Sequence, residues 1–106
     1  MLKTERMDRV RAALRAQGLT QMIVCDPKSV WYLTGVAVEP YERLLALYLP
    51  TDGEPVLFLN RLFNVPEPPC RTVWHTDTDK PVAQIAEVVD AGRPLGIDKE
   101  WPAKFL

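Results

Sequence analysis

The sequence is short of the residues that most catalytic centres require. Its 106 residues include one histidine, His75, one serine, Ser29, and two cysteines, Cys25 and Cys70. A metal-dependent hydrolase needs three or more side-chain ligands around an open position, and the residues around His75 do not supply such a set. Ser29 lies in no nucleophile motif, and the cysteines share no metal-ligand or redox spacing. The sequence therefore predicts no catalytic residue and no metal site, with His75 as a surface or partly buried strand residue and Cys25 as a core residue.

Three further absences exclude classes of partner. The five glycines nowhere form a loop that could cradle a phosphate. The amino terminus is polar, and no apolar run approaches the ~20 residues that a bilayer span requires. Thirteen basic and fourteen acidic residues leave a formal charge of −1, so the global field does not favour a polyanion. We therefore predict a cytoplasmic protein that binds neither nucleic acid nor a membrane, and we interpret the arginine-rich face of the first helix as its solvated side.

The composition is typical of one ordinary globular domain. Hydrophobic residues make up 47% and charged residues 25% of the chain. A chain of this length buries enough surface to fold without a disulfide or a metal ion.

Hydrophobic periodicity and turn residues predict the order helix, strand, helix, hairpin, strand, helix, strand. The hairpin is the clearest element, because Asp52-Gly53 separates two apolar runs that should pair antiparallel. Thr4 and Asp79 are expected to cap helices at their starts, and Gly18 and Gly92 at their ends. Such an order predicts a mixed sheet with helices on its faces. The predicted helices are 4–17, 28–34 and 80–91, with a helical turn at 61–65 and a further helix opening at 101–106; the predicted strands are 22–25, 44–49, 56–59, 72–75 and 94–98.

Four sequence elements recur here in an order that resembles a known family. They are the Tyr-Leu-Thr-Gly element at 32–35, an Arg-led apolar strand at 43–49, the hairpin turn at 51–54 and the Gly-Ile-Asp strand at 96–98. This order is similar to that of the amino-terminal domain of the creatinase, prolidase and aminopeptidase P family. The resemblance covers nearly the whole chain.

The resemblance implies an α/β fold, a three-layer α/β/α domain with a mixed sheet and a ribonuclease H-like motif. It also implies that residues 1–106 are such a domain, truncated at its carboxy-terminal end, of a homodimeric Xaa-Pro dipeptidase that cleaves proline-containing dipeptides. The two divalent metal ions of that metallopeptidase would lie in a separate carboxy-terminal "pita-bread" domain. Prolidase is favoured over aminopeptidase P by the compact segment between Gly35 and Arg43, and creatinase shares the same fold.

The segment 36–43 is the candidate substrate-binding element. Its acids, tyrosine and arginine could position a small zwitterion, because a guanidinium group pairs with a carboxylate and a carboxylate pairs with an ammonium group. In the family resembled, this loop reaches toward the active site of the neighbouring subunit. The resemblance therefore implies that Glu39, Tyr41 and Arg43 lie near substrate there. The alternative is a solvent-exposed connector in which Arg43 packs on the sheet edge or pairs with Glu39 or Glu42.

Other functions remain open on the sequence. The chain could be the protein-binding module of a peptidase-like relative that has lost activity, and the residues after Leu106 would discriminate that case from an enzyme. A stand-alone α/β enzyme would need Asp26 and Asp98, which both lie at the ends of apolar strands, to converge in one pocket. In the alternative, purely structural interpretation, Asp26 is part of an Asp-Pro turn and Asp98 begins a helix.

Overall fold

The computed structural model describes residues 3–41 and 43–98, and the predicted order of elements is confirmed. In this part of the chain every predicted helix and strand is present, with ends that shift by up to three residues. The helices are α1 (Thr4–Ala16), α2 (Pro27–Thr34) and α3 (Pro81–Val88); the strands are β1 (Gln21–Val24), β2 (Ala46–Pro50), β3 (Val56–Asn60), β4 (Arg71–His75) and β5 (Gly96–Ile97).

The five strands form one mixed sheet in the order β4-β3-β2-β1-β5. The predicted hairpin is confirmed, since β2 pairs antiparallel with β3. Strand β1 also pairs antiparallel with β2, whereas β4 runs parallel to β3 and β5 runs parallel to β1. The carboxyl ends of β1, β3, β4 and β5 therefore meet the start of β2 at one edge of the sheet.

The sheet lies between two layers of helix, so the α/β fold with helices on both faces is confirmed. Strands β2 and β3 are buried along their whole length, because both of their faces are covered. One core cluster packs beneath α1 and α2 and includes Met7, Val30, Leu33, Leu47 and Leu57. The other packs beneath α3 and includes Ile23, Ala46, Phe58 and Ile85.

Gly18 ends α1 as predicted. Its backbone φ of 74° is left-handed, a conformation that glycine adopts without a Cβ penalty. The Gly18 N–H donates to the Arg15 carbonyl at 3.0 Å, and the Leu19 N–H donates to the Leu14 carbonyl at 2.9 Å. These two bonds make a Schellman motif, which satisfies carbonyls that the helix leaves without partners.

The predicted side-chain caps at the helix starts are wrong. The residue that precedes α1 is Lys3 rather than Thr4, and it makes no side-chain cap. Its backbone N–H donates instead to the Leu33 carbonyl of α2 at 3.0 Å, so a tertiary contact holds the start of the helix. Asp79 accepts the backbone N–H of Thr76 at 2.8 Å, which turns its carboxylate back into the preceding loop and away from α3.

Helix α3 is shorter than predicted and buries a narrower face. It ends where Val89 becomes extended, so Gly92 does not cap it. Helical spacing predicts one buried face made of Val82, Ile85, Ala86 and Val89. Ile85 is buried and Val89 packs partly against the core, but Val82 and Ala86 are exposed. The helix therefore contacts the sheet mainly through its last turn and a half.

Neither of the adjacent aromatic residues of α2 is buried. Adjacent positions cannot face the same side of a helix, which predicts one of the two in the core. Trp31 and Tyr32 are instead 53% and 44% exposed. The buried stripe of the helix consists of Val30, Leu33 and Thr34, which share one face at i, i+3 and i+4. That stripe turns both aromatic positions outward.

Residues 61–65 form a turn rather than a helical turn, closed by the Phe63 N–H on the Asn60 carbonyl at 2.9 Å. The helix predicted at 101–106 lies outside the described residues. Within 3–41 and 43–98, no helix combines the length and the hydropathy needed to cross a membrane.

Candidate functional site

The candidate site is the loop between α2 and β2, at the edge where most strands end. Gly35, with a left-handed φ of 80°, terminates α2 and reverses the chain. The Thr34 hydroxyl donates to the Val30 carbonyl at 2.6 Å and accepts the Val36 N–H at 3.1 Å. These bonds set the direction in which the loop leaves the helix.

The three residues predicted to lie near substrate line one cavity of about 210 Å³. Glu39 and Tyr41 come from the loop itself, and Arg43 from the approach to β2. An acid, a phenol and a guanidinium group thus share one small space, which is the residue set expected to orient a zwitterion. The other lining residues are Cys25, Pro27, Pro40 and Leu45.

Tyr41 occupies the tip of the loop in an unusual backbone conformation. Its φ of 52° is the one positive value at a non-glycine residue in the described part of the chain, and 83% of the residue is exposed. The Arg43 N–H donates to the Pro40 carbonyl at 2.9 Å and closes the turn around it. Such strained residues are concentrated at binding sites and persist only where their surroundings hold them.

Arg43 is paired across the sheet edge with Asp77 of the β4–α3 loop. The Arg43 Nε donates to Oδ1 of Asp77 at 3.0 Å, and Nη2 donates to Oδ2 at 3.1 Å. These hydrogen bonds are the main reason that the pKa of the Asp77 carboxyl lies below its usual value, and one from Asn60 adds to them. The carboxylate is therefore charged at neutral pH, and it restrains the plane of the guanidinium group.

The ends of β3 and β4 lie beneath this pair. Asn60 is 1% exposed and donates from Nδ2 to Oδ1 of Asp77 at 2.9 Å. His75, its partner in the β3–β4 register, is 2% exposed rather than a surface or partly buried residue as expected. Burial lowers the pKa of His75, although the charges of Asp79 and Asp77 oppose that shift.

The sequence predicts no role for Asp77, Asn60 or His75 at this site. It indicates partners for Arg43 within the loop, at Glu39 and Glu42, whereas Asp77 lies 34 residues further along the chain. The sequence contains one weak signal for this arrangement: Asn60 ends the apolar strand β3, and Asp77 closely follows strand β4. Only the parallel pairing of β3 with β4 brings these strand ends together.

Asp26 and Asp98 lie next to each other at the ends of β1 and β5, and both carboxylates accept hydrogen bonds within the fold. The Asp26 carboxylate accepts the hydroxyl of Ser29 at 2.8 Å, and the Asp98 carboxylate accepts backbone N–H groups. Neither residue lines the cavity beside Arg43. Within the described ranges 3–41 and 43–98, no three His, Cys, Asp or Glu side chains come together as ligands for a metal ion.

The arginines of α1 are engaged within the domain. Arg11 donates to the carbonyls of Pro50 and Gly53, each at 3.0 Å, and Arg15 donates to the Thr51 carbonyl at 2.7 Å. They tie α1 to the β2–β3 turn and so are not simply a solvated face, as expected from the sequence.

A larger groove of about 490 Å³ lies between α1 and β5. Its walls are largely apolar, with Val10, Leu14 and Ile97 among them, and the described residues that line it include Arg6 and Arg9 but no acid. It therefore lacks the opposite charges that distinguish the cavity beside Arg43.

A family model described as the Creatinase/Prolidase N-terminal domain matches residues 6–106. A Xaa-Pro dipeptidase of Lactobacillus delbrueckii subsp. lactis is 30% identical over 88 residues, which cover 78% of this chain and 24% of that protein. A putative dipeptidase of Bacillus subtilis, YkvY, is 38% identical over 50 residues, or 47% of this chain and 14% of that protein. The chain thus spans less than a quarter of the length of these curated relatives.

Solved structures show the same fold. The N-terminal domain of an X-Pro dipeptidase from Streptococcus pyogenes superposes with a TM-score of 0.78 at 24% identity, over 95% of this chain and 82% of that one. A prolidase from Thermococcus sibiricus superposes with a TM-score of 0.77 at 26% identity, over 98% of this chain but 30% of that one.

Proposed function

Since this chain belongs to the creatinase/prolidase N-terminal domain family, we propose that it is the non-catalytic N-terminal domain of a cytoplasmic, homodimeric Xaa-Pro dipeptidase. In this proposal the domain shapes the substrate site and contributes to the dimer interface. Its partners are the parent's own carboxy-terminal catalytic domain, which holds two divalent metal ions, and a proline-containing dipeptide. The relatives named as Xaa-Pro dipeptidase and prolidase support this choice of reaction.

The observation that carries the proposal is the convergence of Glu39, Tyr41 and Arg43 on one cavity. A dipeptide in water is a zwitterion with a carboxylate at one end and an ammonium group at the other. Arg43 supplies a charge-assisted donor for the first, and Glu39 supplies an acceptor for the second. Both signs of charge are therefore present in the space that a dipeptide would need.

The size of the cavity supports a shared site. Its volume of about 210 Å³ lies below the range of about 300 to 1,000 Å³ that is usual for small-molecule pockets. We infer that this domain supplies one wall and that the catalytic domain or the neighbouring subunit supplies the others.

Exposed aromatic residues beside the cavity favour such a contact. Tyr41 is 83% exposed at its rim. Trp31, 53% exposed, lines an adjacent depression that shares Pro27 and Glu39 with the cavity. Aromatic residues are enriched at the buried centres of protein interfaces, so this face is our candidate for the dimer or interdomain contact.

The test is Arg43→Ala in the parent enzyme, compared with Arg71→Ala. Arg71 is an exposed arginine at the opposite end of the sheet, at the start of β4. We expect Arg43→Ala to raise KM for an Xaa-Pro dipeptide or to change substrate preference, and Arg71→Ala to leave both unchanged. If Arg43→Ala instead lowers the melting temperature and leaves the kinetics intact, the loop is a structural connector and the proposed substrate role is wrong.

The non-catalytic role has its own test. Isothermal calorimetry of the 106-residue chain with Mn²⁺, Co²⁺ and Zn²⁺ should show no stoichiometric site, and the chain should not hydrolyse an Xaa-Pro dipeptide. Stoichiometric metal binding together with hydrolysis would contradict it. A parent that is folded and dimeric but inactive toward Xaa-Pro substrates would favour the alternative of a protein-binding relative.

A further inference from the structure

Both carboxylate oxygens of Asp77 accept hydrogen bonds from other side chains. Its Oδ1 accepts both Arg43 Nε at 3.0 Å and Asn60 Nδ2 at 2.9 Å, and its Oδ2 accepts Arg43 Nη2 at 3.1 Å. Two parallel bonds to a planar guanidinium group fix its orientation as well as its position.

Asn60 ties this carboxylate to the rigid end of the sheet. Its Nδ2 donates to Asp77, and its Oδ1 accepts the backbone N–H of Leu62 at 2.9 Å. A backbone N–H can only donate and an ionised carboxylate can only accept, so these two partners fix which way the amide points. Asn60 is the last residue of β3 and is 1% exposed, so its side chain is buried as well as hydrogen-bonded at both ends of the amide.

Stability alone does not account for this arrangement. The side chains of Arg43 and Asp77 are 34% and 56% exposed. Ion pairs as accessible as this one contribute little to the free energy of unfolding, because water screens the charges and ordering a long side chain costs entropy. An arginine side chain that is already ordered loses less conformational entropy when it binds a ligand, so the restraint by Asp77 would favour binding.

We propose that Asp77 is a positioning residue for the reaction: it holds Arg43 in the orientation that binds the substrate carboxylate, and Asn60 holds Asp77. This inference rests on the substrate contact proposed for Arg43. The chain of contacts runs from the end of β3 through Asn60 and Asp77 to Arg43, and so links a rigid strand end to a residue of the loop.

The first test examines the contact in the 106-residue chain by NMR. The Nε–H signal of Arg43, identified by its loss in Arg43→Lys, should exchange slowly with water in the wild type. It should broaden or shift in Asp77→Ala, which removes both acceptor oxygens. Asp52→Ala is the matched control, because Asp52 pairs with Arg15 on an exposed turn, and it should leave the Arg43 signal unchanged. An Arg43 signal that is the same with and without the Asp77 carboxylate would overturn the proposal.

The second test is a double-mutant cycle in the parent enzyme. Asp77→Asn should raise KM for an Xaa-Pro dipeptide by about fivefold or more, with a smaller effect on kcat. In the Arg43→Ala background the same change should have no further effect, because Asp77 acts through Arg43. Asp52→Asn should leave KM unchanged in both backgrounds.

The outcomes separate the two proposals. If Arg43→Ala raises KM but Asp77→Asn does not, Asp77 is not a positioning residue, and the proposed substrate contact of Arg43 still holds. If Asp77→Asn raises KM equally with and without Arg43, Asp77 acts by another route and the inference is wrong. If neither variant changes KM, the substrate contact itself is wrong and the inference fails with it.

Discussion

The Asp98 carboxylate accepts the backbone N–H of Asp26 at 2.9 Å, across the ends of the parallel strands β1 and β5. The same oxygen accepts the N–H of Cys25 at 2.8 Å. Just after β1, these two donors are satisfied by one side chain. Asp98 is therefore a structural clamp. Its carboxylate continues the contact between the two chain segments beyond the end of the two-residue strand β5.

Asp98→Ala should lower the free energy of unfolding by about 1 to 3 kcal/mol, because it leaves two backbone donors without their acceptor. Asp98→Asn should cost less, since its amide oxygen can still accept. Urea denaturation of both variants measures the difference. Asp52→Ala is the control, because the Asp52 side chain is 92% exposed. Equal losses for Asp98→Ala and Asp52→Ala would show that the clamp does not stabilise the fold.

Ile85→Ala should be the most damaging truncation in α3. Ile85 is 4% exposed and packs against the core beneath that helix. Deleting its buried methyl groups should cost about 2 to 5 kcal/mol. Val82→Ala, in the same helix but at a residue that is 36% exposed, should cost far less. Chemical denaturation of the two variants decides the point, and similar midpoints would mean that the helix does not bury the face described above.

Cys25 should be unreactive in the folded protein. Burial, with a smaller contribution from the charge of Asp98, raises the pKa of its thiol to about 12. At pH 8 only about one thiol in 10,000 would then be ionised, and the thiolate is the reactive form. In a Cys70→Ser variant, which leaves Cys25 as the single thiol, iodoacetamide should label the protein only in urea. Labelling of the native variant at the rate of the unfolded chain would contradict this prediction.

His75 should make stability depend on pH in the mildly acidic range. Burial lowers the pKa of the folded imidazole below its ordinary value of 6.5. As the pH falls below 6.5, the unfolded chain binds a proton that the folded protein resists, so the free energy of unfolding should decrease. The lowered pKa values of the Asp77 and Asp79 carboxyls act at more acidic pH, below about 4.

The measurement is urea denaturation of the wild type and of His75→Gln at pH 7.0, 6.0 and 5.0. His75 is the one histidine of the sequence, so the variant should show a flatter dependence between pH 6.5 and pH 5. Parallel curves for the two proteins would mean that His75 takes up its proton equally well when folded.

Elements governed by neighbouring residues were predictable from the sequence. Asp52-Gly53 between two apolar runs predicted the β2–β3 hairpin, and Gly18 predicted the end of α1, because a tight turn and a left-handed residue depend on local backbone energetics. The order of elements was predictable in the same way. Glu39, Tyr41 and Arg43 line one cavity because they are close along the chain, and their contact with substrate stays a prediction.

The tertiary structure alone decided what distant residues share. Asp77 became the partner of Arg43 only because β4 pairs parallel with β3 and delivers its loop to the edge where β2 begins. The contact between the Asp79 carboxylate and the Thr76 N–H, by contrast, is local, because only three positions separate the two residues. Local pattern sets which element a segment forms. Strand pairing between remote segments sets which side chains meet, and no periodicity along the chain encodes that.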